Sequence, residues 1–225
     1  MKNICKTFLF LGLFFAIGSC VGHSTQYVGS RPSVGDKPAL LNINDHKINL
    51  PGIALNIKPR NEIVSSRVAH LSIIPVYVNT ADEQLNKNSL FKIQISLQPH
   101  KAGFSFDPRQ IIVEIDGKVY PIVGVTGPKS PPSYLDDATI RRWMKSGAVI
   151  CSVRAQHIVE NEFPNAPIFL TEIGEWYCFD LMFKVPPPSP EKNFDLDGVG
   201  IFCDGKQLKL EKIQFEKAKW SEYNT

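Results

Sequence analysis

The sequence predicts an all-β protein, specifically an antiparallel β-sandwich with one short helix. Residues 91–97 alternate strictly between apolar and polar side chains, which is typical of a strand with one face in a core. Two Asp-Gly dipeptides, Asp116-Gly117 and Asp204-Gly205, lie between apolar segments and favour two-residue hairpin turns. Turn residues separate short strands of regular spacing along the chain, which favours a sandwich over alternating strands and helices.

The N-terminal half contains several shorter period-two segments. Residues 41–50 predict a hairpin around Asn44-Asp45, and residues 53–57 predict a further strand. Residues 68–78 form a β-branched stretch, in which Pro75 indicates an edge strand or a bulge because proline lacks a backbone N–H.

The middle of the chain combines the clearest hairpin with the single helix candidate. Phe104 and Phe106 are predicted core residues, and residues 111–125 predict a hairpin around Asp116-Gly117. Residues 126–133 are rich in Pro, Gly and Ser and predict a loop. Residues 134–146 predict a helix, since acidic residues open it, basic residues close it and Gly147 follows.

The C-terminal part again predicts strands. Residues 148–160 and 175–185 alternate in period two, and the second strand must end at the prolines of 186–188. Residues 194–203 predict strands that lead into the Asp204-Gly205 turn. The apolar parity changes between Leu210 and Ile213, which predicts a bulge near Glu211 and Lys212.

The first twenty residues predict export. Lys2 and Lys6 precede an apolar run at residues 8–17, which is too short to span a bilayer and suits a signal peptide. The run ends in Ile17-Gly18-Ser19-Cys20, and this resembles the lipobox of bacterial lipoprotein precursors.

The lipobox resemblance implies a membrane anchor. It implies that Cys20 receives a diacylglycerol on its thiol, that residues 1–19 are removed as a signal peptide, and that the new amino group is acylated, usually by a palmitate-like chain. Several acyl chains make such an anchor stable, because each buried CH₂ contributes roughly 0.8 kcal/mol. Val21 in place of aspartate implies the outer membrane. The alternative is ordinary secretion, since Ala16-Ile17-Gly18 also fits a general signal peptidase site.

The remaining chain is predicted to contain two parts. Residues 20–36 lack an apolar period and predict a flexible tether after the lipidated cysteine, and residues 37–225 predict one β-sandwich domain. Short patterns in this domain include Phe106-Asp107-Pro108, Tyr120-Pro121 and residues 181–186, and they resemble immunoglobulin-like extracytoplasmic modules of bacterial lipoproteins. That resemblance implies a fold and no active site or ligand.

The charge of the chain limits its possible partners, and the number of cysteines limits its possible disulfides. The chain has 25 Lys and Arg against 22 Asp and Glu, and two of the lysines lie in the predicted signal peptide. This near-neutral balance indicates no nucleic-acid partner. If Cys20 is acylated, Cys151, Cys178 and Cys203 remain. At most one disulfide can then form, and we expect Cys178 to pair with Cys151 or Cys203 if one does.

No catalytic or metal-binding motif is evident. The sequence lacks a His-Glu-x-x-His, a Cys-x-x-Cys, a Gly-x-Ser-x-Gly and the glycine-rich nucleotide loops. We therefore predict no catalytic residues, no metal ligands and no cofactor. Acidic turn residues Asp195, Asp197 and Asp204 could bind Ca²⁺, but solvated turns are the favoured interpretation.

Two further patterns have a functional and a structural interpretation. Cys151 and His157 are predicted to lie near 20 Å apart along one strand, which disfavours a nucleophile and base. Trp143 with Arg141 and Arg142 resembles a recognition patch, although packing of the ring onto the sheet is favoured. The prolines at 186–190 favour a rigid loop over a polyproline ligand.

These observations predict a lipid-anchored cell-envelope protein that acts as a binding or assembly module and is not an enzyme. Its partners would be the membrane and another envelope protein, contacted by the sheet surface or by the loops at 126–147 and 186–198. Two alternatives stay open. One is an envelope hydrolase whose site forms only in three dimensions, and the other is an accessory subunit of an envelope secretion machine.

Overall fold

The computed structural model describes residues 21–33, 41–42, 47–71, 74–78, 89–129 and 164–224. These residues form antiparallel strands and one 3₁₀ turn, and no α-helix occurs among them. The predicted all-β antiparallel fold is therefore confirmed. The predicted signal peptide and the helix at 134–146 lie outside the described residues. In the part that is described, no helix has the length and hydropathy to cross a membrane.

The strands follow one another with short connections. In chain order they are β1 (Val21–Ser33), β2 (Leu41–Asn42), β3 (Lys47–Leu50), β4 (Ile53–Pro59), β5 (Ile63–Leu71), β6 (Ile74–Val78), β7 (Phe91–Pro99), β8 (Phe104–Asp107), β9 (Ile112–Ile115), β10 (Lys118–Lys129), β11 (Ile168–Phe169), β12 (Tyr177–Phe183), β13 (Phe194–Asp197), β14 (Gly200–Cys203), β15 (Lys206–Gln207) and β16 (Ile213–Asn224). The 3₁₀ turn is Pro108–Gln110, between β8 and β9.

The chain divides into two compact units, which differs from the single domain predicted for residues 37–225. The smaller unit comprises Met1–Gly29, Glu62–Leu85 and Ala218–Thr225, and the larger unit comprises Ser30–Asn61 and Asn86–Lys217. Each unit joins segments that are distant in sequence. A local composition pattern contains no information on such a division.

In the smaller unit, β1 pairs antiparallel with β5, from Val21 opposite Leu71 to Val28 opposite Ile63. The predicted flexible tether over residues 20–36 is therefore wrong for Val21–Ser33. Its strand depends on hydrogen bonds to a partner more than thirty residues away, which its Gly- and Ser-rich sequence does not reveal. The stretch at 68–78 forms parts of two strands. Pro75 lies in β6, which ends the strand order, as the edge-strand prediction requires.

In the larger unit, the strand order runs β2-β3-β4-β7-β12-β10-β9-β13-β16, and a second sheet has the order β11-β8-β14-β15. Strand β10 pairs with β9 through its first residues and with β12 through its later ones. It continues to Lys129, so the predicted loop at 126–133 is wrong for residues 126–129. Thr126 lies opposite Asp180, and Lys129 lies opposite Cys178.

The core of the larger unit is made of alternate residues from both sheets. Strand β7 confirms the predicted pattern, because its four apolar residues are fully buried. The largest fully buried side chains of the described residues are those of Phe91, Phe104, Phe106, Phe179, Phe183 and Phe215. Ser96 is also fully buried, so the opposite face of β7 is less exposed than predicted. A second buried cluster contains Ala54, Trp176 and Cys178.

Both Asp-Gly turns have the predicted conformation. Asp116 and Gly117 have φ angles of 52° and 72°, and Asp204 and Gly205 have φ angles of 51° and 75°. Positive φ at both central residues is what the primed hairpin turn requires. The first turn connects β9 to β10, and the second connects β14 to β15.

The predicted bulge near Glu211 and Lys212 is wrong. Strand β15 ends at Gln207 in the smaller sheet, and β16 begins at Ile213 in the larger one. The intervening residues carry the chain from one sheet to the other, and Leu208 and Leu210 pack against the core on the way. A change of sheet and a bulge both reverse the apolar parity, so the sequence pattern does not distinguish them.

Candidate functional site

The described cysteines have different chemical states. Cys178 is disulfide-bonded and fully buried, whereas Cys203 is a free thiol that is half-buried. A bond between these two is therefore not formed. Cys20 and Cys151 lie outside the described residues, and so does the partner of Cys178.

The three acidic residues considered for Ca²⁺ make separate contacts, and Asp204 Oδ2 accepts from Cys203 Sγ at 3.7 Å. Asp195 forms an ion pair of 3.5 Å with Lys212, and Asp197 accepts a hydrogen bond of 2.7 Å from the Gly198 amide. The described part of the chain contains no group of three or more His, Cys, Asp or Glu residues that could hold a metal ion.

The proline-rich segment after β12 is held by a buried asparagine. Asn61 is fully buried, and its Nδ2 donates to the carbonyl oxygen of Pro188 at 3.1 Å and to Ser30 Oγ at 2.9 Å. Pro188 and Pro190 are themselves buried. This supports a fixed loop over a polyproline ligand. The recognition candidate Trp143 with Arg141 and Arg142 lies outside the described residues, and so does the considered nucleophile and base pair of Cys151 and His157.

The pair Asp107 and Arg109 fixes the 3₁₀ turn and the segment that precedes β11. The Asp107 carboxylate accepts from Arg109 Nε at 2.7 Å and from Nη2 at 2.8 Å, a bidentate arrangement. It also accepts from the Arg109 amide, as an N-cap. Arg109 Nη1 donates to the Asn165 carbonyl oxygen at 3.1 Å.

We expect the ionisation of Asp107 to make the free energy of unfolding depend on pH. The hydrogen bond from the Arg109 side chain holds the pKa of the Asp107 carboxyl below its usual range. A carboxyl with a lowered folded-state pKa stabilises the fold above its unfolded pKa, about 3.9, and this stabilisation is lost as the pH falls through the folded value. We expect Asp107→Asn to lower the free energy of urea unfolding at pH 7, and the difference from wild type to shrink at pH 3.

Asp116→Asn is the control for this titration. Asp116 is exposed and paired with Lys192 at 2.6 Å, and exposed ion pairs contribute little to stability. We expect its unfolding free energy to follow the wild-type value at both pH values. Equal pH dependence of wild type and Asp107→Asn would contradict the role of Asp107.

Phe169 and Ile173 are among the large apolar side chains that are exposed in the described residues, and we call these two the apolar edge. They are 72% and 57% exposed, respectively. Phe169 lies in β11, between Ile168, which packs against the core, and Leu170, which is buried within it. The period of two in a strand therefore directs Phe169 to the outer face of the sheet.

The loop that carries Ile173 is fixed by hydrogen bonds. The Tyr177 hydroxyl accepts from the Glu172 amide at 2.6 Å. The Gly174 amide donates to the Pro99 carbonyl oxygen at 2.7 Å, and Gln98 Nε2 donates to the Gly174 carbonyl oxygen at 2.7 Å. Since the loop is ordered in advance, binding through its side chains costs less conformational entropy.

The apolar edge is suited to binding a protein surface. Exposed aromatic and aliphatic side chains on a rigid scaffold are typical anchors of protein interfaces. The sequence patterns predicted contacts at 126–147 and 186–198, and not at Phe169. The sequence does contain a signal for the exposure of Phe169. If Ile168 and Leu170 face the core, alternation along a strand places the intervening phenylalanine on the outer face.

Comparisons with known proteins show one distant similarity. The chain is 26% identical over 180 residues to amine oxidase (copper-containing) 2 of Homo sapiens, and the match covers 65% of this chain and 24% of that protein. The chain thus spans about a quarter of the length of this relative. No family model matches the chain, and no solved structure matches it.

Proposed function

We propose that this protein is a lipid-anchored module of the cell envelope that acts by binding or assembly and not by catalysis. The observation that supports the binding role is the apolar edge, because Phe169 is exposed on strand β11 and Ile173 is exposed on the following loop, which hydrogen bonds hold in place. Exposed aromatic and aliphatic side chains on an ordered scaffold can serve as anchors of a protein interface.

Two independent features support the envelope location. The first is the order of Lys2 and Lys6, the apolar run at 8–17 and the Ile17-Gly18-Ser19-Cys20 sequence. The second is the disulfide at Cys178, because disulfides persist in extracytoplasmic compartments and are rare in the reducing cytosol. Val21 after the modified cysteine favours the outer membrane as the site of the anchor.

The structure changes how the anchor would connect to the fold. The predicted tether is replaced by β1, whose first residue is Val21. Acyl chains on Cys20 would thus join the fold one residue before a strand, without a flexible spacer. The smaller unit, which contains Val21–Gly29, would be held directly at the bilayer surface.

Mass spectrometry of the mature N-terminus tests the anchor. We expect the chain to begin at Cys20 and to carry a diacylglycerol and an amide-linked acyl chain. In Cys20→Ala these masses should be absent, and the protein should leave the membrane fraction. A wild-type chain that begins at Ser19, or at an unmodified Cys20, would contradict the proposed anchor.

A further inference from the structure

Cys178 lies on the face of the larger sheet that points away from the main core. Its neighbours Tyr177 and Phe179 pack with that core, so the period of two in β12 directs Cys178 to the opposite, outer face. The smaller sheet lies on the core side, because the ring centroids of its Phe106 and of Phe179 are 4.9 Å apart. The smaller sheet therefore does not cover Cys178.

Small side chains on this outer face have no exposed surface. Ser96 of β7 lies directly opposite Cys178, and Ala54 of β4 packs with Cys178 in the second buried cluster. All three residues are fully buried, although a serine, an alanine and a cysteine are too small to cover one another. Trp176 belongs to the same cluster, but neighbouring strands lie about 4.8 Å apart, so one indole ring does not cover three strands. Other atoms therefore lie over this face, and the sulfur bonded to Cys178 is among them.

We propose that Cys151 is the disulfide partner of Cys178, and that this bond holds the connection between β10 and β11 on the outer face of the sheet. The connection would then be fixed to β12 by a covalent bond as well as by its two ends. This inference rests on the export of the chain in the proposed function, because a structural disulfide requires an oxidising compartment.

The other cysteines are less suited to be this partner. The chain has five cysteines, and Cys203 is a free thiol. Cys5 lies in the predicted signal peptide, which export removes. The thiol of Cys20 is predicted to carry a diacylglycerol, and a thioether sulfur does not form a disulfide. Cys151 is then the cysteine that remains for Cys178.

The strand register independently favours Cys151. Lys129, the last residue of β10, lies opposite Cys178 on β12, so β10 ends beside the disulfide. Cys151 follows in the connection that begins there, and its bond to Cys178 closes a loop over residues 151–178. A bond from Cys20 would close a loop over residues 20–178. Because the entropy cost of closing a loop rises with its length, the shorter loop forms more readily.

Formation of the bond is a two-electron oxidation, and its oxidant is an organic or protein disulfide of the envelope. The thiolate of Cys151 attacks one sulfur of that disulfide, and the other sulfur leaves as a thiolate. The thiolate of Cys178 then attacks the Cys151 sulfur of the mixed disulfide and displaces the remaining oxidant sulfur. The oxidant leaves as two thiols, which take up the two protons that the cysteines lost.

Mass spectrometry of the full exported chain, alkylated in urea without reduction, tests the pairing. Trypsin cleaves after Arg154, which lies between the two cysteines, and yields peptide 146–154 with Cys151 and peptide 155–184 with Cys178. We expect these two peptides as one species that lacks two hydrogens and separates when dithiothreitol is added. An uncleaved chain over the same residues differs from this species by one water, so the two are distinguished by mass.

Serine and alanine variants identify the partner by a second measurement. In Cys151→Ser, the Cys178 thiol should become fully alkylated without reduction, whereas it should stay protected in the matched control Cys203→Ser and in Cys20→Ala. Cys151→Ser should also lower the urea midpoint by about 1 M or more, because it loses the constraint of the disulfide on the unfolded chain. Dithiothreitol should lower the midpoint of wild type to the same value and leave that of Cys151→Ser unchanged.

Three results would overturn the proposed pairing. The first is alkylation of Cys178 in wild type without reduction. The second is a wild-type peptide in which Cys178 is joined to Cys20 or to Cys203, and the third is a Cys178 that stays protected in Cys151→Ser. A lipidated chain with a free Cys178 thiol would remove the pairing alone, whereas a linked Cys151 and Cys178 in a chain without lipid would remove the anchor alone.

Discussion

Phe194→Ala is expected to lower the free energy of unfolding by about 3–5 kcal/mol, the range for large buried aromatic residues. Phe194 is buried in β13. Its ring stacks on Phe215 with centroids 4.6 Å apart and meets the edge of Phe91 at 5.3 Å. The substitution removes the transfer free energy of the ring and two aromatic contacts, and leaves a cavity between the strands that surround it.

Chemical denaturation measures this loss, and Phe169→Ala is its matched control. The same atoms are removed at position 169, but there the ring is 72% exposed. Substitutions of exposed residues usually change stability by no more than about 0.5 kcal/mol. If both variants lost similar stability, either the described packing of Phe194 or the exposure of Phe169 would be wrong.

Gly198→Ala is expected to be more destabilising than Gly117→Ala, although both glycines have nearly the same backbone conformation. Their φ angles are 71° and 72°, so an added side chain meets the same intrinsic penalty, about 1 kcal/mol. A Cβ at residue 117 has nothing within 4 Å, whereas a Cβ at residue 198 would overlap the Gln110 carbonyl oxygen. Backbone must move to relieve this overlap, which adds about 1–3 kcal/mol.

Urea unfolding of the two variants separates the effect of overlap from that of backbone conformation. Gly117→Ala measures the cost of positive φ in an open turn, and the excess loss in Gly198→Ala measures the contact between residue 198 and the 3₁₀ turn. Equal losses would show that the 3₁₀ turn does not lie against residue 198 as described.

The sequence by itself determined the fold class, the apolar face of a regular strand such as β7, and the tight turns. In β7, Phe91 and Leu97 are buried as their alternation predicts, and Asp116-Gly117 forms the turn that its residues favour. These features depend on side-chain period and on local backbone preference, which neighbouring residues fix. The export sequence ending at Cys20 is local in the same sense, and it stays a prediction.

Only the tertiary structure decided which segments pair and which surface is left open. Strand β1 depends on a partner that begins at Ile63, residues 208–212 change sheet, and β10 continues past its expected end because β12 lies beside it. The candidate site at Phe169 also depends on pairing between segments that are distant in the sequence. Phe169 is an ordinary apolar residue in the sequence, and its exposure follows because the pairing of β11 with β8 turns Ile168 and Leu170 to the core and leaves the outer face of this strand uncovered in the described residues. Such features come from contacts between distant residues, which local patterns do not encode.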